Sequence, residues 1–148
     1  IDCEKIDEVT DRFFGIGGNN GWFYADKLWQ IRGFMDKMVG GVGMERGRRS
    51  ETDIQAGEVL DFWRVLLADR KNHRLLLFAE MKIPGEAWLE FSIVKSKNHC
   101  ILKQIATFRP QGILGRNYWY AMLPFHYFIF RNMLKRIVGV ESESKGEK

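Results

Sequence analysis

The chain has 148 residues, 45% hydrophobic and 28% charged, with a formal net charge of +4 and a pI near 9.1. These are the values of one globular domain, able to bury about 68–70% of its unfolded surface. Two cysteines are too few for a disulfide framework and lack the paired spacing of a zinc site, so Cys3 and Cys100 are expected as free thiols in a reducing compartment.

Aromatic residues reach 14%, including five Trp and eleven Phe, and side chains of that size must fill a core or line a pocket. The start of the chain has no leader-like apolar run, because Asp2, Glu4, Lys5, Asp7 and Glu8 interrupt it. Its first residue is Ile1 rather than Met, so the chain is read as processed or as part of a longer one.

Ile6, Val9 and Phe13 fall at helical spacing within Glu4–Phe14, behind an acidic first turn, and predict a short amphipathic helix. Gly15, Gly17 and Gly18 stop it. A second helix is expected over Trp22–Val39, where Trp22, Ala25, Leu28, Trp29, Ile31, Met35, Met38 and Val39 repeat with the same period and Gly33 is the weak point. Gly40–Gly47 is a glycine-rich loop that leads into Arg46, Arg48 and Arg49.

From Asp53 onward the period changes. Val59–Leu67, Arg74–Lys82, Glu86–Lys95 and Cys100–Phe108 are four β-rich runs with short polar links, and short links make antiparallel neighbours. Leu114–Val138 is a long aromatic helix, expected to kink or break at Pro124. The polar tail at 140–148 is expected to fray. Within the last helix, Tyr118–Phe130 holds Pro124 and His126 and is closed by Arg116 and Arg131. It falls short of the roughly 20 residues a membrane span needs, so a cytoplasmic location is expected and a membrane surface is not.

The element order predicts an α+β domain: two helices, an antiparallel meander, and a long C-terminal helix that the curved sheet wraps around. Neither glycine loop completes a dinucleotide fingerprint, since Asn20 and Arg46 stand where each third glycine belongs. His73, His99 and His126 show no metal-ligand spacing, so no metal and no cofactor are expected in this domain. The basic residues are not interleaved with aromatic platforms, which argues against nucleic acid.

The sheet is where a site is expected. Alternation groups Asp61 and Trp63; Leu76, Phe78 and Glu80; Trp88 and Glu90; and Leu102, Gln104, Ala106 and Phe108. If that set faces the long helix, Glu80, Glu90 and Gln104 are polar groups in an aromatic cavity, with Trp63, Trp88, Phe108, Tyr118 and His126 as further lining. If Leu75, Leu77, Ala79, Leu89 and Phe91 are the core instead, Glu80 and Glu90 form a solvated outer ladder. Pairing register is needed to choose.

Several segments resemble one family: Ile16–Gly21 with Trp22, Tyr24 and Ala25; Leu28, Trp29, Arg32 and Gly33; the Val39–Gly43 glycines and Arg46–Arg49; Gly57 and Leu60–Val65; Glu80–Phe91; and Phe108, Pro110, Gly112–Gly115 and Tyr118–His126. It is the uncharacterised domain that follows a short-chain-dehydrogenase-like NAD(P)-binding domain in bacterial proteins labelled nucleoside-diphosphate-sugar epimerases. That domain is similar to the START and polyketide-cyclase superfamily (SRPBCC), which has a helix-grip fold.

The resemblance implies a helix-grip domain over residues 1–139 whose first strand is truncated to Ile1 and Asp2, and an NAD(P)-binding domain upstream that would hold the cofactor. It implies a binding module for an apolar or amphipathic small molecule. A cyclase or hydrolase using a cavity carboxylate, and an interaction domain docking through the basic loop at Arg46, Arg48 and Arg49 and the aromatic helix, on a membrane surface or on its own N-terminal half, are the alternatives.

Overall fold

The computed structural model describes residues 1–17, 21–22, 26–38, 40–41, 53–80, 82–97 and 99–139. A 3-10 turn, Cys3–Lys5, is capped by the Asp2 side chain and leads into α1, Ile6–Phe14. Ile6, Val9, Thr10, Phe13 and Phe14 form the buried face of α1, the i, i+3, i+4, i+7 stripe the sequence shows. Helix α2 spans Asp26–Met38.

The strands are β1 (Val59–Leu60), β2 (Trp63–Asp69), β3 (Arg74–Ala79), β4 (Gly85–Ser96) and β5 (His99–Pro110). They form one antiparallel sheet in sequential order, bent by an irregularity between Val65 and Leu67 of β2. The expected single run Val59–Leu67 is two strands. It folds back at Asp61, which takes φ 54°, a left-handed conformation that aspartate tolerates better than most residues.

Helix α3, Gly112–Val138, is continuous through Pro124 and ends at Gly139 with φ 84°. The expected break is absent: the helix runs on through Pro124, where proline removes one N–H from the ladder. The helix starts tight against the sheet: a Cβ on Gly115 would collide with the Pro84 carbonyl oxygen and lie 3.1 Å from the Pro110 backbone. At its other end Arg12 Nη1 of α1 donates to the Ile137 carbonyl at 3.2 Å, a favourable place for a cation.

The core joins α1, the sheet and the C-terminal half of α3. Phe13, Leu75, Leu77, Leu89, Phe91, Met133 and Ile137 are fully buried, and the Phe13 ring stacks on Phe91 with centroids 5.8 Å apart. This is an α+β fold with a long helix laid on a curved antiparallel sheet, the arrangement of a helix-grip domain.

The cysteine expectation is corrected. Cys3 and Cys100 form a disulfide with Cα atoms 5.2 Å apart, inside the usual range for that bond. It staples the 3-10 turn to the start of β5. Two cysteines separated by 97 residues give no spacing pattern that a sequence reading could use. The tail at 140–148 lies outside the described residues.

Candidate functional site

Register assigns the faces. Val65 pairs with Leu77, Leu77 with Leu89, and Leu89 with Ala106; Leu75 pairs with Phe91, and Phe91 with Gln104. Directly paired residues share a face, and the buried core members of these rows fix it as the inner one, under α1 and α3. Trp63 lies on it beside Ala79, and Phe108 beside Ala87. Small alanines therefore separate two aromatic side chains.

The opposite face carries the carboxylates. Arg64 pairs with Phe78 and Phe78 with Trp88, with the Phe78 and Trp88 rings 5.6 Å apart. Arg64 Nε binds Glu80, Arg74 Nε donates to Glu90 at 2.7 Å, and Arg109 stands 3.5 Å from Glu86. The grouping expected from alternation is thus divided. Trp63, Gln104 and Phe108 are inside, whereas Glu80 and Glu90 belong to an outer ladder of ion pairs and Trp88 shares that outer face.

Helix α3 brings its own aromatics to the inner face. The Phe108 ring stacks on Trp119 at 5.1 Å and meets Tyr118 at 5.8 Å. Trp119 in turn meets His126 at 5.8 Å, and His126 stacks on Phe130 at 5.4 Å. Positions 119, 126 and 130 lie on one side of a helix, and this side turns to the sheet. The His126 Nδ1 atom is buried. Tyr118 and His126 therefore join Phe108 and Gln104 in the layer between β5 and α3.

Polar atoms in that interior lack partners. Both Gln104 amide atoms and the Trp63 indole nitrogen are buried with no hydrogen-bond partner among the described residues. So is Oε2 of Glu58, whose main chain bonds Val65, so that it shares the inner face. Native proteins leave few such groups unsatisfied, and each asks for a ligand or water. The inner face also opens outward, since Ala106, between Gln104 and Phe108, is exposed.

Three features escaped the sequence reading. Glu58 is the inner-face carboxylate, signalled only by its alternation with Leu60. Trp119 is the residue stacked on Phe108, signalled by its seven-residue spacing to His126. The third is a buried pair: Asp61, 6% exposed, accepts a 2.8 Å hydrogen bond from the Trp22 indole.

Gly17 explains part of that pair's surroundings. With φ +84°, it brings its backbone so near that an added Cβ would stand 3.5 Å from Asp61 Oδ2. This is the turn role expected of that glycine, with its N–H closing on the Gly21 carbonyl at 2.8 Å. Arg46, Arg48 and Arg49 lie outside the described residues.

Among the described residues no helix is long and apolar enough to cross a membrane. Neither the curated proteins nor the solved structures contain a match to this chain. Residues 2–133 match the family described as "Protein of unknown function (DUF2867)". That match spans most of the helix-on-sheet domain, and the chain belongs to the DUF2867 family.

Proposed function

We propose that this domain binds a small apolar or amphipathic molecule between the inner face of the sheet and α3, in the manner of START-like (SRPBCC) helix-grip proteins. The observation that carries the reading is Gln104: both of its amide atoms are buried on the inner face without a partner. A buried amide left unbonded costs about 1–3 kcal/mol. A ligand that offers one acceptor and one donor would recover it, while Phe108, Trp119 and Trp63 supply apolar contact. A few fixed polar groups in an aromatic enclosure is the composition of a small-molecule site.

In this reading the domain serves an NAD(P)-dependent, epimerase-like oxidoreductase whose cofactor sits in a separate N-terminal domain. The domain uses no cofactor of its own. Its partners are the ligand and that N-terminal half. The resemblance of Ile16–Ala25 and Tyr118–His126 to such bacterial proteins supports this setting. An enzymatic reading rests on Glu58, whose buried oxygen is the inner-face carboxylate a cyclase or hydrolase would need.

Native mass spectrometry of the purified chain tests the binding reading. The expected result is an adduct of a few hundred daltons released on denaturation. A spectrum holding only the bare chain at every collision energy would count against it.

A further inference from the structure

Helix α3 has two sides of different character. Gly115, Ile129, Met133 and Ile137 are buried on the side that packs on the fold, with Trp119 and His126 in the same layer. At about 3.6 residues per turn, Ile113, Tyr120 and Tyr127 fall on the opposite side. There Ile113 is 77%, Tyr120 71% and Tyr127 67% exposed, with Leu123 at 44% and Phe125 at 58% on the two flanks. Contiguous apolar surface of this kind is uncommon on a monomer and marks an interaction site.

Charge on α3 is of one sign. The helix holds four Lys and Arg residues and no Asp or Glu, and between Arg116 and Arg131 it carries no Lys, Arg, Asp or Glu at all. Arg116, Arg131 and Lys135 are exposed, and none of them forms an ion pair among the described residues. The apolar side is thus bracketed by cations that the domain leaves unneutralised. The outer face of the sheet differs: Lys103 stands between the exposed Ile101 and Ile105, the mixture of an ordinary solvated surface.

That charge pattern selects the occupant. A second copy of this chain, packed helix to helix and antiparallel about Leu123 and Pro124, would set Arg116 of each copy against Arg131 of the other, and like charges brought together oppose association. An anionic lipid surface answers both features at once. Tyrosine and phenylalanine suit the boundary between headgroups and acyl chains, where the ring is apolar and a hydroxyl stays wet. Arginine and lysine extend past such a layer to the phosphates. Among the described residues no helix is long and apolar enough to cross a membrane, but lying along its surface needs no such length.

We propose that the outer side of α3 is a docking site for an anionic membrane surface. Ile113, Tyr120, Leu123, Phe125 and Tyr127 enter the headgroup boundary, and Arg116, Arg131 and Lys135 contact lipid phosphates. The helix lies in the plane of the surface with the sheet held away from it on the far side. The expectation against a membrane surface rested on a span, and this arrangement is not a span. It uses the side of α3 turned away from the sheet, so it is independent of which ligand, if any, the inner face binds.

Co-sedimentation of the purified chain with vesicles tests it, using phosphatidylcholine alone and phosphatidylcholine mixed with phosphatidylglycerol. The chain is expected to bind the mixed vesicles at least about tenfold more tightly than the neutral ones, with most of that preference lost at high salt. Tyr127→Ser and Arg131→Glu are each expected to weaken binding about tenfold. Both positions are exposed, so the unfolding midpoint stays where it was. Lys103→Glu makes the same change in net charge on the outer face of β5 and is expected to leave binding within about twofold. The proposal is overturned by no binding to the mixed vesicles at low salt, by equal affinity for the two compositions, or by binding that Tyr127→Ser leaves unchanged. Equal losses in Lys103→Glu and Arg131→Glu would overturn it too, as would dimerisation of the free chain that Tyr127→Ser abolishes.

Discussion

The Trp22 indole N–H donates to the buried carboxylate of Asp61 across 2.8 Å, tying the chain after α1 to the turn between β1 and β2. Asp61 holds φ 54° there, so it provides both an acceptor and a backbone conformation. Asp61→Ala removes the acceptor and places a less tolerant residue in the left-handed region, with an expected loss of about 2–4 kcal/mol in urea unfolding. Asp61→Asn keeps an acceptor and the conformation, and is expected to lose less than half as much. Equal losses would show that the hydrogen bond is not what Asp61 supplies.

The outer ladder behaves as solvated surface. Arg74 and Glu90 are paired at 2.7 Å with side chains 48% and 22% exposed, a setting in which an ion pair contributes about 0–1 kcal/mol. Glu90→Gln is expected to change stability by no more than that and to leave any bound ligand in place. Loss of the ligand in Glu90→Gln would move the site to the wrong face of the sheet.

The Cys3–Cys100 bond closes a loop across nearly the whole domain, and removal of such a cross-link commonly costs about 2–5 kcal/mol. Thiol titration of the unreduced, denatured chain is expected to find no free thiol. Reduction, or Cys3→Ser, is expected to lower the unfolding midpoint. Two titratable thiols in the denatured chain before reduction would contradict the bond.

Asp69 has its carboxyl held below the ordinary carboxylate value, chiefly by the Asn72 side chain and secondarily by the Asn72 backbone N–H. A group whose folded pKa is depressed contributes stability above its unfolded pKa and loses it as the pH falls through the folded one. Any contribution from Asp69 is therefore full at neutral pH and lost in acid. Asn72→Ala is expected to move the Asp69 titration, followed by carboxyl carbon NMR, back up toward the ordinary value.

Much of the fold is legible in the sequence because apolar, β-rich runs between short polar links mark β3, β4 and β5 to within a few residues, with alternation clear over Glu86–Phe91, and α1 shows a clear helical period. The site is legible only in half. Both sheet faces carry aromatics, so Phe78 and Trp88, which pair with each other on the outer face, read as well for a cavity as Trp63 and Phe108 do. Register decides this, and register is a long-range property. The fold-back at Asp61 was hidden because Val59–Leu67 is apolar on both sides of a turn made without glycine. Pro124 misled because proline removes a single N–H from the helical ladder, and the helix continues through it.

Gln104 separates binding from stability. Its amide is buried without a partner, so replacement by the nearly isosteric leucine is expected to leave the empty domain equally stable or up to about 2 kcal/mol more so. A residue kept at some expense of stability is one that function requires. A fall in stability in Gln104→Leu would show that the amide is already satisfied without a ligand.

The most direct test of the inner-face site is the ligand-bound fraction of wild-type and Gln104→Leu chains, prepared in parallel and compared by native mass spectrometry. The account predicts a small-molecule adduct on the wild-type chain, reduced at least tenfold in Gln104→Leu, the loss expected when about 1.4 kcal/mol of binding is removed. Equal occupancy in the two chains, or no adduct on either, would contradict it.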